Sequence, residues 1–408
     1  MAKQGAKMAV PRLRFPEFVG KPFREVQLKD VTSESITRNV DGISTKSVMG
    51  VTKAEGIVPM EERLIASDIA RYKVVQKDWF AYNPMRLNIG SIARWQGDSD
   101  ILVSPDYVVF QCSKGFGSEI APAYLDHFRQ SGAWEKFVTE GGDGSVRVRI
   151  YYKDLARLQV TLPSLAEQEK VADCLTSLDE VIAVQGQKVE ALKAHKRGLV
   201  QQLFPREGET QPRLRFPEFR DAPEWGIKKL SALIDLVSGM HLSPEEYGSS
   251  GDVPYFTGPS DFTNEMKCVM KWTAVSSSMA TKYDTLITVK GSGVGECWYL
   301  KMPSVAIGRQ LMAVHAKASS SQFIHQFLLS KRKRFEDLAS GNLIPGLARG
   351  DILDMVAPFP EKDEQQCIAD CLSSLDTQII AESTQLAALK THKQGLMQRL
   401  FPLGEDEL

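Results

Sequence analysis

At 408 residues, 43% of them apolar and 25% charged, the chain has the composition of a soluble globular protein with room for two ordinary domains. Its formal charge of −1 excludes neither a nucleic-acid nor a protein partner, because a basic face is readily offset by acids elsewhere. Met1 to Val10 carries charge but no apolar core of signal-peptide length, and no later run stays apolar long enough to span a bilayer, so the expected location is the cytoplasm with no membrane partner.

In chain order, the first recognisable element is Pro11-Arg-Leu-Arg-Phe-Pro-Glu-Phe18, which returns at Pro212 to Phe219. Each copy leads into a stretch of polar, Gly-rich and aromatic composition. Behind the first copy, Tyr72 to Val75 and Tyr107 to Phe110 read as strands and Ala121 to Val138 as a helix. Residues before Ala166 carry a net charge of roughly +4, the sign a reading surface for an anion requires.

A long helical segment follows, and it too is repeated: residues 166–205 align without gaps on 363–402, with about half of the positions identical. Apolar residues recur alternately four and three apart at Val171, Leu175, Leu178 and Ile182, then at Val189, Leu192, Leu199 and Leu203. The second copy repeats the stripe at Ile368, Leu372, Leu375 and Ile379, then at Leu386, Leu389, Leu396 and Leu400. Polar interruptions coincide at Gln185 with Glu382 and at Lys196 with Lys393. Such a stripe predicts a coiled-coil seam. Ser164 and Glu167 have capping-box spacing, Pro205 and Pro402 stop the two copies, and Gly186, Gly198 and Gly395 are sites for a bend. A rod of ~40 residues is about 60 Å long and needs a partner. Matching stripes predict that the two helices pair with each other.

Between the helices, Thr285 to Val289 and Gln310 to Val314 read as strands and Gln322 to Leu338 as a helix. The C-terminal end from Asp363 onward sums to roughly −5 and closes in an acidic tail, 403–408. Its Glu405-Asp-Glu-Leu408 is similar to an ER-retention address that, without a signal peptide, would never be read. The predicted class is α+β: mixed domains at 1–163 and 206–360 alternate with long helices at 164–205 and 361–402, as a pseudo-two-fold internal repeat.

No motif assembles catalytic chemistry. Six cysteines show no metal-ligand or disulfide spacing, and Cys367 with Cys371 fits one face of a helix. Asn83-Pro84-Met85 lacks the second proline and the aromatic of an amino-methyltransferase corner. Gly291-Ser-Gly-Val-Gly295 has neither a P-loop Lys-Ser/Thr nor a dinucleotide fingerprint and reads as a turn. Asp261, Glu265 and Lys267 are nuclease residue types crowded into one acid-rich loop, and His195 and His392 sit on polar helix faces. No catalytic residue and no metal site is predicted.

Residues suited to base edges and phosphates gather in turn-rich stretches. In the first domain these are Arg86, Asn88 and Ser91 within Tyr82 to Ser91, then Arg94 and Lys114, and Arg147 with Arg149 on one face of a strand. Lys290, Ser292, Arg309, Gln310 and Asn342 form the comparable set in the second. Each has an ordinary solvated side chain as its alternative reading. So does the densest basic run, Lys331-Arg-Lys-Arg334, as a solvated helix end.

With these parts in place, the paired repeats ending in Leu-Phe-Pro and the Leu162-Pro-Ser-Leu-Ala-Glu-Gln168 helix entry resemble the specificity subunits of type I restriction–modification systems, over nearly the whole chain. Gly291, Arg309-Gln310 and the Pro360 to Gln365 entry follow the second-domain pattern, although Phe359-Pro-Glu-Lys-Asp-Glu-Gln365 lacks the Ser cap of the first. The resemblance implies two target-recognition domains that each read half of a bipartite double-stranded DNA site, with an antiparallel coiled coil fixing the gap. It further implies two modification subunits, which carry S-adenosylmethionine-dependent adenine methylation, and restriction subunits, which use ATP and Mg to translocate and cut; this chain would bind no cofactor. Local dyad symmetry of duplex DNA agrees with such an arrangement, because like domains on successive half-sites are related by an approximate two-fold axis. Two other classes remain open: a scaffold joining protein- or glycan-binding domains, which would have no salt-dependent DNA affinity, and a tandem enzyme with an unrecognised site.

Overall fold

The computed structural model describes residues 11–112, 119–140, 149–274, 278–340 and 346–401. The chain divides into two compact units, Met1–Gln185 with Gln385–Leu408, and Gly186–Thr384. This division cuts through both long helices rather than falling at their ends.

In the first unit, Thr32–Ser35, Val108–Cys112, Phe80–Tyr82 and Ile92–Arg94 lie side by side, in that order, as an antiparallel sheet. Side chains on a strand alternate between faces, so Phe80, Tyr82 and Phe110 meet the helices on one side, with Phe80 stacked on Phe110 at 5.0 Å. Ala81, Ala93 and Val109 meet Val51, Val75 and Val103 on the other. The ribbon of Arg24–Gln27 with Gln159–Leu162 ties the start of this region to its end.

The second unit repeats the plan. Ile234–Ser238, Leu311–Ala316, Thr285–Thr288 and Cys297–Tyr299 make the corresponding sheet, and Gly226–Lys229 with Val356–Phe359 the corresponding ribbon. Here Ile287, Met312 and Val314 face the helix side while Leu286, Leu311 and Ala313 face a second layer. That layer is a five-stranded sheet containing a parallel pair, Val253–Phe256 beside Ser304–Ile307. The first unit has in its place two short ribbons, Met49–Thr52 with Gly56–Pro59 and Lys73–Val75 with Ile101–Val103.

The expected helix over Ala121 to Val138 is two, Pro122–Phe128 and Gly132–Glu140, broken where Gln130-Ser-Gly132 disfavours continuation. Likewise Gln322 to Leu338 divides into Ser321–Ser330 and Arg332–Ser340.

Both long helices, Leu165–Leu203 and Lys362–Leu400, run unbroken for 39 residues through Gly186, Gly198 and Gly395. Of the predicted seam residues, Val171, Leu175, Ile368 and Leu372 are buried, and Leu178, Ile182, Leu192, Leu199, Leu375, Ile379, Leu389 and Leu396 are half-buried. The polar interruptions have partners: Lys393 Nζ donates to both Asp179 carboxylate oxygens at 2.6 and 2.7 Å, and Lys196 Nζ to those of Asp376 at 2.6 and 2.7 Å. In the second unit Lys188 meets Glu382 while Lys196 meets Asp376, so the two helix segments run in opposite directions.

Each helix entry is clamped by the octapeptide repeat. Arg14 binds Glu167 through Nε at 2.9 Å and Nη2 at 2.6 Å, and Arg215 binds Glu364 with the same two distances. The capping box expected at Ser164 is therefore half formed: Ser164 Oγ accepts the Glu167 N–H at 3.4 Å, but the Glu167 carboxylate belongs to Arg14. The neighbouring glutamines brace the sheet-side helices. Gln168 Oε1 accepts the Ala121 N–H at 2.9 Å, Gln365 Oε1 accepts the Ser320 N–H at 3.0 Å, and each amide also donates to a proline carbonyl, Pro163 or Pro360. At the helix exits Phe401 packs on Tyr124 and Phe128, and Phe204 on Phe323 and Phe327. Among the described residues no helix is long and apolar enough to cross a membrane.

Candidate nucleic-acid interface

In both four-stranded sheets the third strand reaches the fourth through a loop held in the same frame. In the first unit, residues 83–91, the Asn83 N–H donates to the Ser91 carbonyl at 3.2 Å and Ile150 N–H to the Pro84 carbonyl at 3.0 Å. In the second, residues 289–296, Thr288 N–H donates to the Glu296 carbonyl and Leu347 N–H to the Val289 carbonyl, each at 2.8 Å. Gly90 and Gly295 end the loops with φ of 92° and 84°, a conformation that favours glycine. On this common frame the exposed residues differ: Met85, Arg86, Asn88 and Ile89 on one loop, Lys290, Gly291 and Ser292 on the other. Four residues chosen from sequence, Arg86, Asn88, Lys290 and Ser292, thus fall on equivalent loops.

Each loop is stiffened locally. The Asn83 side chain accepts the Met85 N–H at 3.0 Å, and Leu87 is buried beneath the single turn Leu87–Ile89. The second loop shares its edge with others. Because Val253–Phe256 and Ser304–Ile307 are parallel, the segments following them leave from the same side, and they bring Gly258, Pro259, Arg309 and Gln310 there. Val289 N–H donates to the Gln310 carbonyl at 2.8 Å, setting exposed Lys290, Arg309 and Gln310 around one backbone bond. A Cβ at Gly258 would lie 2.6 Å from Gln310 Oε1, so the glycine leaves room for this placement of the Gln310 side chain.

Other residues chosen from sequence have different roles. Ser91 is buried, and its hydroxyl donates to the Val51 carbonyl at 2.7 Å, so it presents nothing to a ligand. Arg94 is held by Asp78 at 2.7 Å and Asp126 at 3.4 Å, and Asp126 also binds Arg129 at 2.7 Å. In the second unit that place is taken by Tyr283 stacked on Tyr299, 6.0 Å apart. Arg149 is exposed but belongs to no strand. Lys114, Arg147, Asn342 and the acidic tail lie outside the described residues. The basic run is largely neutralised within its own helix, Arg332 by Glu336 at 2.9 Å and Lys333 by Asp337 at 2.7 Å. Lys331 lies at the helix junction with its ammonium 5.4 Å from the Phe327 ring centre, and burial, reinforced by Arg334, lowers its pKa.

The acid-rich loop is structural as well. Asp261 accepts from Thr257 N at 2.7 Å, Thr257 Oγ1 at 2.6 Å and Lys271 Nζ at 3.0 Å; although burial acts to raise it, these bonds hold its carboxyl below the ordinary value. Among the described residues no cluster of His, Cys, Asp or Glu fits a metal ion. Sequence reasoning passed over Met85 and Ile89, whose only signal was an apolar pair inside a turn-rich, polar stretch.

Residues 223–391 match the family described as the type I restriction modification DNA specificity domain. The chain is 23% identical over 387 residues to the putative type I restriction enzyme MjaX specificity subunit of Methanocaldococcus jannaschii, covering 92% of this chain and 88% of that one. It is 22% identical over 299 residues to the MjaVIII specificity subunit of the same organism, covering 65% and 67%. In fold it is similar to the crystal structure of the S subunit of a type I restriction–modification system from M. genitalium, with a TM-score of 0.66, 13% identity and 97% and 99% coverage. A chain from a structural study of type I complex assembly and conformational transition aligns with a TM-score of 0.56, 20% identity and 93% and 97% coverage.

Proposed function

We propose that the chain is a specificity subunit of a type I restriction–modification system, as its likeness to such subunits suggests, that it reads a split DNA target, one half through each domain, and that it itself catalyses nothing. The observation that carries this reading is the repeated loop: one backbone frame at 83–91 and 289–296 presenting Met85, Arg86, Asn88 and Ile89 in one case and Lys290, Gly291 and Ser292 in the other. Loops anchored by equivalent bonds but carrying unlike surfaces suit two reading heads aimed at unlike base sequences. Arg and Asn suit guanine and adenine edges, and Lys suits guanine or a phosphate. Arg309 and Gln310 join the second head, and Arg149, with Lys114, Arg147 and Asn342, adds further contacts to the same DNA.

The two long helices act in this reading as an antiparallel coiled coil that fixes the spacer between half-sites, and the internal repeat is a pseudo-two-fold matched to the DNA dyad. Opposed Lys196–Asp376 and Lys393–Asp179 pairs support it, since they set register at equivalent positions of the two repeats. Adenine methylation, DNA translocation and cleavage belong to modification and restriction subunits that bind this chain in the cytoplasm and supply S-adenosylmethionine, ATP and Mg.

The test maps methylated bases in DNA from cells making this chain with its modification subunit, against cells making that subunit alone. A split motif with methyladenine in both halves, present only with the chain, is the expected result. Replacing Val26 to Val160 by the corresponding segment of another specificity subunit should then change one half of the motif and leave the other. A change in both halves, or no new motif, would overturn the reading.

A further inference from the structure

The first reading loop is unusual in what it exposes. Met85 and Ile89 are 52% and 54% exposed, on either side of Arg86 and Asn88, although Leu87 between them is buried. Large apolar side chains left in water are individually ordinary, but these two stand on a segment stiffened at both ends. Pro84 is tied to Ile150, the Met85 N–H to the Asn83 side chain, and Gly90 closes the turn. Their projection is therefore part of the frame and not a matter of a loose chain, and the ordering entropy of the backbone is already met before any ligand arrives. The equivalent second loop, residues 289–296, keeps both of its apolar side chains, Val289 and Val294, buried, and exposes Lys290, Gly291 and Ser292 instead.

Among the groups that bases present in the major groove, the C5-methyl of thymine is the apolar one. Resting on the reading proposed above, we propose that Met85 and Ile89 recognise a thymine methyl group in the half-site read by the first domain, and that the second domain reads its half-site without such a contact. Arg86 and Asn88, between the two apolar side chains, then bond to base edges adjacent to that methyl. The two halves would differ in the physics of discrimination: shape and desolvation on one side, hydrogen bonding and charge on the other.

The test uses the assembled complex of this chain with its modification subunits, at one fixed salt concentration, on duplexes carrying the mapped target. Thymines are replaced singly by deoxyuridine, which removes the methyl and keeps the pairing edge. One replacement in the first half-site should raise Kd about fourfold, the worth of one buried methyl-sized group. Met85→Ser with Ile89→Ser should bind the thymine and deoxyuridine duplexes alike, about as weakly as the unaltered complex binds deoxyuridine, while sensitivity to changes in the second half-site stays as it was. Both positions are solvent-exposed, and an unchanged melting curve confirms that the variant is folded. The proposal is overturned if no thymine in the first half-site responds to deoxyuridine while sequence-specific binding persists, or if the double variant keeps the full response. Loss of complex assembly by the variant would also overturn it, marking the pair as a protein contact. Absence of any specific binding by the unaltered complex would instead refute the DNA-reading function itself.

Discussion

Replacing Arg215 by Met removes the guanidinium from Glu364, whose side chain is only 3% exposed. Both carboxylate oxygens lose their donors, and the carbonyls of Ala222 and Pro223, which accept from the same guanidinium at 3.0 and 3.2 Å, lose theirs. A carboxylate stranded out of water in this way costs about 3–5 kcal/mol, a large share of the ~5–15 kcal/mol that stabilises a domain. For a unit of about 200 residues that corresponds to a melting temperature lower by about 10 °C. Hydrogen exchange followed peptide by peptide is the suitable assay, because two units need not unfold in one transition. Peptides spanning Gly226–Lys229 and Val356–Phe359 should lose protection, and Arg14→Met should do the same to Arg24–Gln27 and Gln159–Leu162 in the other unit. Adding Glu364→Leu to Arg215→Met removes the stranded charge and should recover most of the loss. A single variant costing less than about 1 kcal/mol, or a double variant no better than the single, would refute the argument from desolvation.

Burial, partly opposed by Asp376, pushes the His325 imidazole down to about 4 from an ordinary 6.5. The unfolded chain therefore binds the proton first, so the contribution of His325 to stability is constant above about pH 6.5 and falls by about 3 kcal/mol as pH drops through the window to about 4. His325→Asn should flatten that slope in urea titrations at pH 7 and pH 4.5, and an unchanged slope would remove His325 as its source. Gly239→Ala would put a Cβ 2.0 Å from the Gly308 carbonyl oxygen, a backbone atom that cannot swing away. It should destabilise by about 3 kcal/mol or more, measured by thermal melting; a neutral outcome would mean that the strands slide apart freely. Ser91→Ala strands the Val51 carbonyl and should cost about 1 kcal/mol with the target motif unchanged, whereas Arg86→Ala should weaken methylation of the full site with no loss of stability. A changed motif for Ser91→Ala would show that the loop return reaches DNA after all.

The apolar stripe of each long helix was legible because burial along a helix imposes a period, and that period survives in one sequence: Val171, Leu175, Ile368 and Leu372 could be named as buried without coordinates. The loop frame was legible only as a clustering of turn residues, and the roles of individual residues depended on distant chain. Ser91 was misread because its acceptor, Val51, comes from another ribbon, and Arg94 because its carboxylates, Asp78 and Asp126, come from two separate elements. Arginine and serine have the same appearance in a sequence whether they face solvent or close a network. The break at Ser131-Gly132 had a local signal that went unused; the break at Lys331 has none, and there the packing of Phe327 and Phe335 into one core sets the helix directions.

An internal repeat offers a comparison inside a single chain. Residues that the frame needs recur with the same bonds, as Arg14 and Arg215, Glu167 and Glu364, Gln168 and Gln365, and Phe401 and Phe204 do. Positions that differ divide by whether their polar groups are already satisfied. Arg94 and Tyr299 differ, but one is consumed by two aspartates and the other stacks on Tyr283 and bonds to the Ser321 hydroxyl at 2.8 Å, so each is a closed local solution to filling the same corner. Asp78 and Tyr283, beside them, even share a left-handed backbone at φ 67° and 75°, strain that the corner imposes whichever side chain fills it. Met85, Arg86, Asn88 and Ile89 against Lys290, Gly291 and Ser292 differ in another way, because they face solvent from a braced backbone. Difference without burial, on a frame that is itself repeated, is what separates a surface free to specify a ligand from a core that has merely found a second packing.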